Sequence, residues 1–164
     1  MSQEDAITSY KSLPPCGVYR TTRPLPGKEE WVRENLLVYF HNHSQQGPPL
    51  LLLPATNNHN RWIFHDKGYL IRDTGYTHSL EPLMEEGLYV LTEPIYLSRD
   101  EFIPEETLVQ LGYNRAGDPI LFLGKFVENQ VVFPNSGLKC TAEIFEMLKP
   151  VNFKLPGYAR DMHH

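Results

Sequence analysis

"GVYRTTRPLPG" at residues 17–27 returns as "GLYVLTEPIYL" at residues 87–97, with Gly17, Tyr19, Thr22 and Pro24 recurring as Gly87, Tyr89, Thr92 and Pro94 at an offset of 70. Self-similarity at a fixed period marks a repeated structural unit. The register extends outward. "LLVYFHNHSQQGPPLLLLP" (36–54) pairs with "TLVQLGYNRAGDPILFLGK" (107–125), matching Leu37 with Leu108, Val38 with Val109, Gly47 with Gly117, Pro49 with Pro119 and Leu51 with Leu121. "NRWIFHDKGYLI" (60–71) then pairs with "NQVVFPNSGLKC" (129–140), matching Asn60 with Asn129, Phe64 with Phe133 and Gly68 with Gly137. Each copy ends in a stretch expected to form a short helix, "THSLEPLMEEG" (77–87) and "CTAEIFEMLKP" (140–150), the second with Thr141 as N-cap.

These matches predict an internal duplication: an N-terminal arm (1–16), a first β unit (17–83), a second that repeats it (87–151) and a C-terminal tail (152–164). Within a unit the pattern is a meander. "TLVQLGY" alternates, with Val109, Leu111 and Tyr113 on one face; "AGDP" turns the chain, "ILFLGKF" returns, and "QVVFPNSGLKC" supplies two more short strands across an Asn-Ser-Gly turn. About five strands per unit follow, in a pattern that resembles SH3-like small barrels. The expected fold is therefore mainly β, two small antiparallel barrel-type units, each closed by a short helix and packed together because one unit alone has a thin core.

Composition agrees. Fourteen prolines and eleven glycines are spread along the 164 residues and cut them into apolar runs too brief for long helices. A net charge of −5 disfavours a nucleic-acid or membrane-surface binder, which needs excess Lys and Arg. No run is long enough to span a bilayer, and the acidic start "MSQEDAITSYKS" is unlike a secretory signal, so a cytoplasmic setting is expected. Cys16 and Cys140 lack C-x-x-C spacing, which points to neither a disulfide framework nor a thiolate zinc site.

The chemistry-bearing candidates begin with His41 and His43. An H-x-H step places two imidazoles on one strand face, and "LLVYFHNHS" resembles the opening of the JAMM metalloprotease motif. Leu51 and Pro54 stand where that motif has its Ser and Asp. A cupin would need a Glu soon after His-x-His, where this chain has Ser44, Gln45, Gln46 and Gly47. In the repeat, His41 and His43 match Gly112 and Asn114, so the strand and turn are built equally well without imidazole. A metal-dependent hydrolase using His41 and His43 is therefore the alternative reading. "RTTRPLPG" has the look of a polyproline ligand, but its echo "LTEPIYL" keeps Pro94, which favours an architectural role. "FPNSGLKC" resembles the stretch before the cysteine of ubiquitin-conjugating enzymes, yet Ile71 matches Cys140 in the first copy and favours a buried strand thiol.

If the second copy keeps the bare fold, function lies in what only the first one has. Both tryptophans (Trp31, Trp62) and five of the seven histidines lie there. Residues 17–83 carry seven basic and six acidic side chains, residues 87–151 five and nine, so the halves differ in sign. Aromatic and Arg side chains anchor protein interfaces. Tyr39, His59, Arg61 and Trp62 are the expected binding residues, since the matching strand and turn positions of the second copy read Gln110, Gln130 and Val131. The expected function is a non-catalytic protein- or peptide-binding module of adaptor type, with no cofactor and the first unit as its recognition face. The oligomeric state is not encoded in any motif.

Overall fold

The computed structural model describes residues 13–42 and 47–152. His43, most of the N-terminal arm and nearly all of the tail lie outside the described residues. The chain is mainly β, with 41% strand against 7% helix. In chain order the strands are β1 (Gly17–Arg20), β2 (Leu37–His41), β3 (Leu50–Leu52), β4 (Pro54–Asn58), β5 (Arg61–Phe64), β6 (Tyr69–Leu70), β7 (Glu81–Pro82) and β8 (Gly87–Leu91). They continue as β9 (Ile95–Tyr96), β10 (Phe102–Ile103), β11 (Leu108–Tyr113), β12 (Pro119–Leu123), β13 (Lys125–Val127), β14 (Gln130–Val132), β15 (Leu138–Lys139) and β16 (Leu148–Pro150).

Two five-stranded antiparallel sheets organise them, β6-β3-β2-β1-β7 and β15-β12-β11-β8-β16. The registers correspond. Gly17 pairs with Phe40 and Tyr19 with Val38 in the first sheet; Gly87 pairs with Leu111 and Tyr89 with Val109 in the second. Leu51 lies between Phe40 and Tyr69, and Leu121 between Leu111 and Leu138. Tyr19 donates its hydroxyl to the Pro15 carbonyl at 2.7 Å, and Tyr89 donates to that of Glu85 at the same distance.

A two-stranded hairpin leaves each sheet, β4–β5 from the first and β13–β14 from the second. Both turn through a pair of residues with positive φ, His59 and Asn60 (51° and 69°) and Glu128 and Asn129 (50° and 65°). Such pairs suit a two-residue hairpin loop, whose twist matches the strands it joins.

Neither large sheet closes into a barrel: among the described residues the edge strands β6 and β7, and β15 and β16, do not pair with each other. The edge strands are two or three residues long. The last strands also depart from expectation, because β14 turns back onto β13 rather than pairing with β15. The first helix, α1 (Thr74–Thr77), is one turn capped by the Asp73 side chain, and it ends where the helix expected over 77–87 was to begin. Pro82 instead sits in β7, paired with Tyr19. In the second half, Ala142–Met147 forms a 3₁₀ helix, and Thr141 occupies the N-cap position without a side-chain hydrogen bond.

Alternation sorts the core. Val38, Phe40, Leu51, Tyr19, Leu25, Val32 and Tyr76 form a cluster within the first half. Burial pushes the Tyr76 hydroxyl up to about 12. The second cluster, built on Val109, Leu111, Leu121, Tyr89 and Leu91, also takes in Val18 and Leu37 from the opposite face of the first sheet. The second core is thus shared by both halves. The Leu37 N–H donates to the Arg115 carbonyl at 2.8 Å, and Arg20 pairs with Asp118 at 3.2 Å. The Asp118 carboxyl is held below its usual range, first by the Asn114 side chain and further by Lys139 and Arg20.

Candidate functional site

The β4–β5 hairpin crosses onto the second sheet, and this placement decides what its side chains can do. Asn60, buried at the tip, donates from Nδ2 to the Gln110 side chain (2.9 Å) and to the Pro134 carbonyl (3.0 Å). Gln110 returns a bond to the His59 carbonyl at 3.0 Å. The glycine at 112 is what admits the tip, since a Cβ there would stand 2.8 Å from the Asn60 carbonyl oxygen. Gln110 and Gly112 are buried for this reason, although their alternation with Val109 and Leu111 alone would leave them outward.

Trp62 is half-buried at the seam. Its indole N–H donates to the Tyr113 carbonyl at 2.7 Å, and the Arg115 guanidinium stacks 4.8 Å from its ring. Arg115 also donates to the carbonyls of Pro54 and Ala55. Much of Trp62 is therefore committed to joining the halves. Arg61 and His59 are exposed, while Tyr39 is half-buried with its ring 5.7 Å from that of Phe64.

Three of the four expected residues nevertheless share one concavity. A groove of about 320 Å³ is lined by Cys16, Gly17, Val18, Tyr39, Arg61, Trp62, Phe64, Glu85 and Glu86. These residues come from β1 and the residue before it, from β2, from β5 and from the connection before β8. His59, at the hairpin tip, is not among its lining residues. Cys16, Phe64, Glu85 and Glu86 were not singled out from sequence. A signal existed, because Cys16 and Glu86 occupy the same place one residue before Gly17 and Gly87.

Glu86 gives the groove its electrostatic character. Burial raises its carboxyl, against the Trp62 backbone N–H that it accepts (3.1 and 3.3 Å) and the Arg61 charge. A carboxyl raised on folding stabilises the fold below its unfolded pKa, and that contribution is lost as pH rises through the folded value. Glu86→Gln keeps an acceptor for the Trp62 N–H and removes the buried charge. We expect its melting midpoint to exceed that of the parent at pH 8 and the difference to vanish near pH 4, as read by circular dichroism melts.

Cys16 is exposed, with its sulfur 3.8 Å from His41 Nδ1 and accepting the Asn42 N–H at 3.2 Å. Among the described residues no group of three or more His, Cys, Asp or Glu is placed to hold a metal ion. A larger cavity, about 680 Å³, lies elsewhere in the first half between Leu25, Pro26, Tyr69 and Leu70, with Lys28 and Arg72 at its edge; it contains none of the expected residues. Comparison with protein-family models, curated proteins and solved structures finds no match for this chain. Among the described residues no helix is long and apolar enough to cross a membrane.

Proposed function

We propose that the chain is a tandem duplication of one small β unit, and that it works without turnover as a protein- or peptide-binding module whose recognition face is the groove of the first unit. The observation that carries this reading is the convergence of Tyr39, Arg61 and Trp62 on one concavity. Their counterparts Gln110, Gln130 and Val131 build the same strands without them. Tyr39 and Arg61 are thus gathered beside Trp62 in a concavity where a partner can reach them. Aromatic surface and one Arg provide anchoring area at low entropic cost. Glu85 and Glu86 in the same lining favour a partner segment that brings an apolar side chain together with a basic one.

The duplication is supported by the matching strand order, matching registers and the paired Tyr-to-carbonyl bonds. SH3-like kinship is a likeness of meander pattern, carried by open sheets. A cytoplasmic setting remains part of this proposal, on the composition alone.

Affinity measurements on groove variants test the reading. Tyr39→Ala and Arg61→Ala are expected to weaken partner binding by about 2 kcal/mol each, roughly thirtyfold, with little change in the melting midpoint for Arg61→Ala. Unchanged affinity in both would place recognition elsewhere. The metal-hydrolase alternative has one observation in its favour, the Cys16 sulfur beside His41. Stoichiometric zinc in purified protein, abolished by His41→Ala, would establish it in place of the binding module.

A further inference from the structure

We infer that the β13–β14 hairpin of one molecule docks into the first-unit groove of a second copy, giving head-to-tail self-association. The inference rests on the groove being a protein-binding site and names the partner.

Its starting point is an asymmetry between two corresponding hairpins. In β4–β5, Asn57 and Trp62 pair across the strands and their face is turned to the neighbouring half, where Trp62 is half-buried. Phe126 and Val131 form the corresponding pair in β13–β14. Phe126 is 84% exposed and Val131 44%, with Val127 (51%) and Val132 (44%) on the other face. Both faces of this hairpin thus expose large apolar side chains, and the Phe126–Val131 pair forms an apolar face of the kind that marks interaction sites. The first hairpin covers part of the second half, whereas among the described residues Phe126 of the second hairpin stays 84% exposed.

The first hairpin also shows what such a hairpin covers. Its tip lies between Gln110 of β11 and Pro134 at the foot of the second hairpin, and the Trp62 N–H meets Glu86. The positions that correspond in the first half are Tyr39, His65 and Cys16. Tyr39 and Cys16 line the groove, and His65 follows directly on Phe64, which lines it too. The margin of the first half at Cys16, Tyr39 and His65, where Cys16 and His65 are exposed, is therefore the counterpart of the place that receives a hairpin in the second.

The substitutions between the halves fit an exchange of partners rather than an exact copy. His41 replaces Gly112, so an entering tip stands farther off β2 than Asn60 does from β11, and Phe126 in place of Asn57 brings the bulk to fill that space. Lys125 and Glu128 flank the exposed apolar residues as Glu85 and Arg61 flank the groove. The surfaces are different, so the contact is heterologous and propagates as a chain or closes as a ring.

Sedimentation velocity on the purified protein over a concentration series tests this, with two variants. Phe126→Ser/Val131→Ser removes the inserting face, and Arg61→Ala/Tyr39→Ser damages the groove; melts confirm that each is folded. Should the double groove variant fail to fold, Arg61→Ala alone replaces it, since Arg61 is exposed. The parent is expected to grow beyond a dimer with concentration, and each variant to associate at least about tenfold more weakly. An equimolar mixture of the two variants is expected to recover association but stop at a one-to-one dimer, since it contains one intact hairpin and one intact groove. A parent that stays monomeric overturns the inference, and the groove reading then stands or falls on the affinity of its variants for other proteins. A hairpin variant that assembles like the parent overturns it as well. So does a groove variant that assembles like the parent, which shows the hairpin pairing with itself or with another surface, and so does a mixture that stays monomeric, which shows that an intact hairpin and an intact groove do not meet.

Discussion

A chain ended after Glu86 is expected to lose cooperative unfolding altogether. The first half keeps its own cluster around Phe40 and Leu51, but Val18 and Leu37 pack into the core centred on Val109, Leu111 and Leu121. Removing the second half bares those side chains together with Trp62, Tyr39 and Phe64. It also orphans the Leu37 N–H, the Asn60 amide and the Trp62 indole N–H, which now bond to Arg115, Gln110, Pro134 and Tyr113. Each fully exposed apolar side chain forfeits about 1.5–3 kcal/mol of burial, and several such losses match the whole stability of a small domain. A unit of this size has little core to spare. Calorimetry and circular dichroism on the truncated chain are the checks: a broad, featureless melt is expected. A sharp transition at the parent midpoint would show two independent domains.

Gly68→Ala and Gly137→Ala are expected to destabilise the protein severely and by similar amounts. Both glycines stand just before the short edge strands β6 and β15. A Cβ at Gly68 would press on the Leu51 carbonyl oxygen and, at 2.6 Å, on the Leu52 side chain; at Gly137 it would stand 2.5 Å from the Leu121 carbonyl oxygen and 2.8 Å from Ile120. Backbone oxygens inside a sheet cannot move aside without breaking the β3–β6 or β12–β15 pairing. Overpacking of this kind costs about 1–3 kcal/mol, and loss of the edge strand adds to it. Chemical denaturation should give comparable shifts for the two variants. A near-neutral result at one site and a large one at the other would argue that the halves are not equivalent.

How far the sequence discloses this architecture depends on the range of the interaction. Leu37 to Phe40 and Leu108 to Tyr113 announce their strands by alternation, and Val38, Phe40, Val109 and Leu111 are buried as that pattern requires. The paired glycines and prolines fix the turns between strands. The hairpins were harder to see because their turns use His59-Asn60 and Glu128-Asn129 where a hairpin most often signals itself with glycine. The short helix was misplaced by a few residues, since the cap at Asp73 competes with the apolar spacing farther along.

The burial of Gln110 could not be read locally. It arises from a hairpin fifty residues away that covers it, and its side-chain amide is satisfied only there. The same long-range fact changes the site. Comparison of the two halves points to Tyr39, Arg61 and Trp62, and these three residues line one groove. For Trp62 the sequence leaves open a place in the core or on a binding face, and the structure has its indole N–H holding the second half while the residue also lines the groove. Comparison of the halves missed Glu85 and Glu86, which appeared as mere connection.

The claim that this groove is a recognition site is tested most directly by photo-crosslinking from inside it. A benzophenone side chain at position 39 faces the groove, and one at position 110 lies beneath the β4–β5 hairpin and serves as control. Irradiation in cell extract, followed by mass spectrometry, reads which proteins lie within reach. We expect an intermolecular adduct from position 39 that excess unlabelled parent protein suppresses, that excess unlabelled Arg61→Ala protein does not, and that is missing from position 110. No adduct from position 39, or one that the Arg61→Ala competitor suppresses as well as the parent does, would contradict the claim.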